Sequence, residues 1–270
     1  MKIAFLGGGN MAAALIGGLV AKGHDARAIS VIELSPAARE KLAARYSVHV
    51  STAPDAAVQS ADTLVLAVKP QDMKAALASL ASVVRGKLVI SIAAGITLDT
   101  LSRWLGGHRK IVRCMPNTPA LIGAGIAGLY ASPDVEQHEK EKAESILRAV
   151  GEVVWVDEER LLDLVTAVSA SGPAYVFWFI EQLAASAEKL GIPKQDALKL
   201  ALQTVLGAAK LAASSDSPPS ELRKNVTSKG GTTEAALNVF DEEKLAERFM
   251  KAVDAASRRG AELGKMSGKD

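Results

Sequence analysis

The sequence predicts a doubly wound α/β half followed by an all-helical half, on three observations. Short β-like runs alternate with helical patterns as far as about residue 156, a G-x-G-x-x-A sequence directly follows the first run, and no strand pattern returns after Asp157. Alternating βα units predict a mostly parallel sheet with helices on both faces, because crossover helices must cover both sides of buried strands.

In chain order, "KIAFL" reads as a strand and "MAAALIGGLVAKG" as its helix. "AISVIE" is followed by "PAAREKLAARY", "TLVLAV" by "QDMKAALASLASVVRG", and "LVISIA" by "TLDTLSRWL". A further strand, "KIVRCM", runs into "PNTPALIGAGIAGLY", whose glycines suit an irregular strand better than a helix. "SPDVEQHEKEKAESILRAVG" predicts a helix with Ser132 as N-cap, Pro133 at the first position and Gly151 at the C-terminal end. "EVVWV" closes the sheet.

Helix then follows helix. "EERLLDLVTAVSAS" is expected to break at Gly172-Pro173, "AYVFWFIEQLAASAEKL" to stop at Gly191, and "KQDALKLALQTVLGAAKLAAS" to end in the turn "SSDSPPS". Two more helices are expected from about Thr232 and about Glu242. This shift places a domain boundary near residue 160, with 1–160 binding a dinucleotide and 161–270 forming a helical substrate and dimerisation domain. "AYVFWFI" has no charge over its length, which predicts a helix buried all round and suggests a subunit interface.

Composition narrows the function. Basic and acidic residues nearly cancel, 32 against 30, and are interleaved, so no basic stripe tracks a phosphate backbone and nucleic acid is not expected as a partner. The single cysteine, Cys114, has no intrachain partner, and the four histidines show no metal-ligand spacing. No metal is expected, and a reducing cytoplasm fits. No segment reads as long and apolar enough to cross a bilayer, so no membrane partner is expected either.

The G-x-G-x-x-A run is Gly7, Gly9 and Ala12, in the strand-turn-helix setting that a Rossmann-like dinucleotide site requires. Gly7 permits the tight turn, Gly9 admits a pyrophosphate, and Ala12 lets helix and strand pack closely. Glu33 closes the second strand, where a carboxylate accepts hydrogen bonds from the adenosine ribose and repels a 2′-phosphate; the plainer alternative is a solvated strand-end charge. Ser35 and Arg39 lie close enough to receive a phosphate, so NADH is favoured over NADPH only weakly. Ligands of open α/β sheets bind outside the carboxyl ends of the strands. Lys69-Pro70 in "LAVKPQ" and Ala93-Ala94 in "SIAAG" are therefore expected to border the cofactor. A later stretch, "NVTSKGGTTEAAL", puts Gly230-Gly231 before a helix that Thr232 is expected to cap, and exposed N–H groups there favour a small anion.

Together "FLGGGNMAAALIGG", "LAVKPQ", "SIAAGIT", "RCMPNTP", "SASGPAYVF" and "NVTSKGGTTEAAL" resemble, in order and spacing, the pyrroline-5-carboxylate reductases, over nearly the whole chain. The resemblance implies reduction of the cyclic imine 1-pyrroline-5-carboxylate to L-proline with NADPH or NADH. It implies a Rossmann domain and a helical domain that pairs with another subunit's, giving a homodimer or a ring of dimers. Carried over by position, Leu6, Gly7, Gly8, Gly9, Asn10 and Met11 hold the pyrophosphate. Ala67, Val68, Lys69 and Pro70, with Ala93 and Ala94, line the nicotinamide half. Asn225, Gly230, Gly231, Thr232 and Thr233 meet the substrate, the Thr233 hydroxyl reaching the ring nitrogen as the catalytic group. Glu159 is similar to a family carboxylate near the substrate, though the acidic helix start "DEER" explains it equally well. Lys229 departs from the family's proline before Gly-Gly, Pro54 from its asparagine near the cofactor, and Glu33 from a smaller or amide residue.

Two other functions remain open at the sequence level. A β-hydroxyacid dehydrogenase shares the strand-turn-helix, but Lys210 follows Gly207 too closely for that family's lysine setting and lacks the companion asparagine. A non-catalytic dinucleotide sensor needs only the glycine fingerprint.

Overall fold

The computed structural model describes residues 1–267. Two compact units make up the chain: unit 1 comprises residues 1–171 together with the segment from Ala256, and unit 2 comprises Gly172–Ala255. The chain thus leaves unit 1 and later returns to it.

Unit 1 runs β1 (Ile3–Leu6), α1 (Asn10–Ala21), β2 (Ile29–Ile32), α2 (Pro36–Tyr46), β3 (His49–Ser51), α3 (Ala56–Gln59), β4 (Thr63–Leu66) and α4 (Pro70–Leu77). It continues with β5 (Leu88–Ser91), α5 (Leu98–Trp104), β6 (Ile111–Met115), β7 (Gly125–Ala131), α6 (Gln137–Leu147), β8 (Gly151–Trp155) and α7 (Leu161–Val165). The strands form one sheet in the order β3-β2-β1-β4-β5-β6-β7-β8. Among the described residues only the β6–β7 pairing is antiparallel. Strand order reverses between β1 and β4, which opens a crevice at their carboxyl ends.

Alternation along β1 explains the two-sided core. Ile3 and Phe5 join a cluster with Leu15, Ile16 and Leu129, whereas Ala4 and Leu6 join another with Leu64, Met73 and Leu77. Helix α1 lies close to the sheet's far edge because Gly18 has no side chain: a Cβ there would stand 2.4 Å from the Ala149 carbonyl oxygen.

Several local expectations change. β3 was absent from the sequence pattern; three residues with His49 exposed show no alternation. α4 ends at Leu77 in turns rather than reaching Gly86. α6 starts at Gln137, not Pro133, because the Ser132 amide is drawn into bonding the Ile111 carbonyl and Glu139 Oε2 instead accepts from the Glu136 amide.

The expected break at Gly172-Pro173 does not occur. After α7, residues Thr166–Ala170 form a π-helical turn, with the Ser171 amide donating to the Thr166 carbonyl at 2.9 Å, and helix α8 (Gly172–Lys189) follows without a loop. The fused run Leu161–Lys189 is, by length and composition, long and apolar enough to cross a bilayer, which corrects the expectation that no segment was.

Unit 2 contains α8, α9 (Lys194–Ala213), α10 (Pro219–Asn225), α11 (Thr232–Glu242) and the first part of α12 (Leu245–Ser267). Lys244, at φ 52°, separates the last two. α10 went unforeseen. Tyr175 meets the Phe249 ring edge-on at 6.0 Å. Within one chain "AYVFWFI" is not buried all round: Phe177 is 60% and Trp178 57% exposed. An uncharged aromatic face left in water is what a subunit interface requires.

Candidate functional site: a dinucleotide crevice and a polar helix start

Gly7 follows β1 at φ +96°, its amide donating to the Ile32 carbonyl, while the Ala67 amide donates to the Leu6 carbonyl. A Cβ on Gly7 would come within 2.9 Å of both the Ala67 oxygen and Val68 Cγ1, so the turn needs glycine for conformation and for space. Gly9, by contrast, faces nothing within 4 Å. It is the N-cap of α1 and brings no side chain to the cap, so no capping side chain takes the first amides of α1. That cradle fits a pyrophosphate.

Glu33 is committed to this loop. Its Oε2 accepts from the Gly8 amide at 2.7 Å and its Oε1 from the Ser35 amide at 2.7 Å. Ser35 Oγ accepts from the Ala38 amide and caps α2. Arg39 donates to the Glu33 and Leu34 carbonyls, 2.8 Å each, which holds its guanidinium beside the strand end.

Lys69 is the N-cap of α4 and Pro70 its first residue. Pro70 and Ala94 line a cavity of about 610 Å³ with Lys74, Gly95, Trp104 and Asp163, walled further by Gly260 and Leu263 of α12. Ala93 is buried behind it and Ala94 is exposed. Gly95 approaches α12 closely: a Cβ there would lie 3.4 Å from the Gly264 backbone.

Glu159 is a linchpin of unit 1. Its Oε1 accepts from the Leu98 amide at 2.7 Å, at the start of α5, and from Arg113 Nη1 at 2.6 Å. Arg113 is buried at 6% exposure and was not foreseen, since a charge inside a strand gives no periodic signal. Asp163 lies near both; burial pushes its carboxyl above the ordinary range, opposed by Arg113.

In unit 2, Asn225 ends α10 and is exposed. The α11 N-cap is Gly231, so Thr232 is the first helical residue rather than the cap. Gly230 takes φ +71° and donates its amide to Glu234 Oε2 at 2.7 Å, and the Gly231 amide donates to the Ser228 carbonyl at 3.0 Å. Both glycine amides are therefore engaged. Among the described residues the first-turn amides of Thr232 and Thr233 have no protein acceptor, which moves the anion-binding donors two residues along. Glu234 could have been found from its third-position spacing, where a carboxylate reaches back to the loop.

Residues 159–263 match the family model for pyrroline-5-carboxylate reductase dimerisation, and residues 2–95 that for NADP oxidoreductase, coenzyme F420-dependent. A pyrroline-5-carboxylate reductase of Pseudomonas aeruginosa is 47% identical over 268 residues, covering 99% of this chain and 98% of that protein. The chain belongs to the pyrroline-5-carboxylate reductase family. A solved pyrroline-5-carboxylate reductase from Coxiella burnetii is 43% identical with a TM-score of 0.93, over 97% of this chain and 98% of that one. The Plasmodium falciparum pyrroline carboxylate reductase, solved with NADP bound, has a TM-score of 0.85 at 29% identity, over 98% of each chain. The pyrroline-5-carboxylate reductase family thus accounts for both halves of the sequence, the sheet with its glycine turn and the helical region with its exposed aromatic face.

Proposed function

We propose that the protein reduces 1-pyrroline-5-carboxylate to L-proline with NAD(P)H, the last step of proline biosynthesis. Full-length identity of 47% to a pyrroline-5-carboxylate reductase carries this conclusion. The glycine turn fits a dinucleotide because even a Cβ on Gly9 would meet nothing within 4 Å at the start of α1. When bound, the reduced nicotinamide supplies the hydride.

The chain supplies position and charge. Leu6 to Met11 hold the pyrophosphate, Glu33 and Ser35 the adenosine side, and Ala67 to Pro70 with Ala93 and Ala94 the nicotinamide side. Glu33 sets its carboxylate against a 2′-phosphate, which favours NADH, while Arg39 leaves room for NADPH. Residues 161–270 act as the substrate and dimerisation domain. Asn225, Gly230, Gly231, Thr232 and Thr233 bind the imine, with the Thr232 and Thr233 amides taking its carboxylate. The Thr233 hydroxyl holds a proton at the ring nitrogen, which becomes an amine on reduction. Glu159 contributes to the substrate side through Arg113 and the start of α5. The homo-oligomer that the dimerisation region supports is a homodimer or a ring of dimers, working in the cytoplasm without nucleic acid or membrane.

NADH and NADPH oxidation, followed in parallel with 1-pyrroline-5-carboxylate and with a β-keto acid, tests this function. Turnover with the imine alone is expected. Turnover with the keto acid alone would make the protein a β-hydroxyacid dehydrogenase, and turnover with neither a dinucleotide sensor.

A further inference from the structure

In two motifs, "RCMPNTP" and "SASGPAYVF", Arg113 and Phe177 already have places, but Asn117 and Ser169 do not. One side chain joins them. Asn117 follows β6 and is buried at 9% exposure. Its Oδ1 accepts from the Ile126 amide at 3.0 Å, and its Nδ2 donates to the Ser169 carbonyl at 3.3 Å and to Ser169 Oγ at 3.4 Å.

Ser169 sits in the π-helical turn, where a proline narrows the choice of donors for its carbonyl. In a regular helix it would accept from the amide four residues on, but that residue is Pro173, which has no N–H. A part-buried carbonyl is stabilised by each donor the fold can bring to it. Asn117 provides the donor that Pro173 cannot.

The location of this tie matters for chemistry. β5 and β6 run parallel with Ser91 paired to Arg113, so the loop after Ser91 and the loop after Met115 leave the sheet side by side at its ligand end. Ala93 and Ala94 are the nicotinamide residues of the proposed site. We propose that Asn117 is a positioning residue for the reduction. It fixes the β6 loop against the π-helical turn, and so sets the wall of the crevice next to the nicotinamide loop. A displacement of about 1 Å in such a wall costs on the order of a hundredfold in rate. This assignment rests on the reductase function above, and wild-type turnover of the imine tests that function separately.

The experiment combines Asn117→Ala with Pro173→Ala in the full-length protein, with kcat, KM for the imine, cofactor Kd and Tm measured for each. Asn117→Ala is expected to lower kcat by about ten- to a hundredfold and to lower Tm, with cofactor Kd within about twofold of wild type because the pyrophosphate loop is untouched. Pro173→Ala places an N–H four residues on from the Ser169 carbonyl without restoring the tie to the β6 loop. The double variant is therefore expected to regain Tm while kcat stays low. Recovery of kcat together with Tm would reduce Asn117 to a satisfier of one carbonyl and overturn the proposal, as would an Asn117→Ala enzyme with wild-type kcat. Asn117→Asp, isosteric and still able to accept from Ile126, provides the same comparison if the alanine variant does not fold. Its kcat is expected to fall, and an unchanged kcat overturns the proposal.

Discussion

At the scale of single residues the most telling side chain is Thr233. Hydride arrival turns the imine nitrogen into an amine, so a fixed hydroxyl beside it is worth more in the transition state than in the bound imine. Thr233→Ala is expected to lower kcat by about a hundredfold to a thousandfold, as loss of one such donor does, and Thr233→Ser to recover much of it. Steady-state kinetics beside Tm decide this: an alanine variant with full activity and slightly lower Tm would return Thr233 to a first-turn helix residue. Asp163 gives a pH signature. Burial raises its folded pKa, with Arg113 opposing. A carboxyl raised in this way favours the folded state most when it is protonated in both states, and that contribution is lost as pH rises through the folded value. Asp163→Asn is therefore expected to gain stability relative to wild type at neutral pH and to lose that advantage in acid. Denaturant midpoints at the two pH values measure it. Midpoints that move in parallel would mean the group is not held in the way its burial implies.

At the scale of elements, the long strands and helices were legible because each has a period, and the exceptions each have a cause. Three-residue β3 shows no alternation, α6 takes its start from sheet bonding by Ser132, and α8 begins at Gly-Pro just after a π-helical turn. The glycine turn was legible down to Gly7 and Gly9, since geometry there admits little else. Arg113, Asn117 and Glu234 were not, since a polar residue announces its partner only when the fold brings that partner near. Gly18 shows how packing overrides helix propensity. Alanine favours a helix interior over glycine by roughly 1 kcal/mol, yet at Gly18 its methyl would stand 2.4 Å from a backbone oxygen. Overpacking of that kind costs about 1–3 kcal/mol. Gly18→Ala is accordingly expected to lower Tm; a rise in Tm would show that α1 can slide away from Ala149 without loss.

For the molecule as a whole, the uncovered face carrying Phe177, Trp178 and Phe179 is the expected surface of association. Trp178→Asp is expected to shift the mass in light scattering toward monomer and to remove turnover together with it; a charged variant with unchanged mass would exclude this face from the interface. The two-unit division makes a second test. A fragment ending at residue 160 lacks buried Leu162 and Ala167 and the α12 backbone against Gly95. It is expected to retain weak dinucleotide binding with a lower Tm and no turnover, and measurable imine reduction by the fragment would remove the "GGTT" segment from the chemistry. That same discontinuity orders events at the ribosome. Every strand of the described residues and the glycine turn precede unit 2 in the chain, but Gly260 and Leu263, which wall the cavity beside Ala94 and Gly95, follow it. A nascent chain therefore carries that cavity open on one side until α12 has been made.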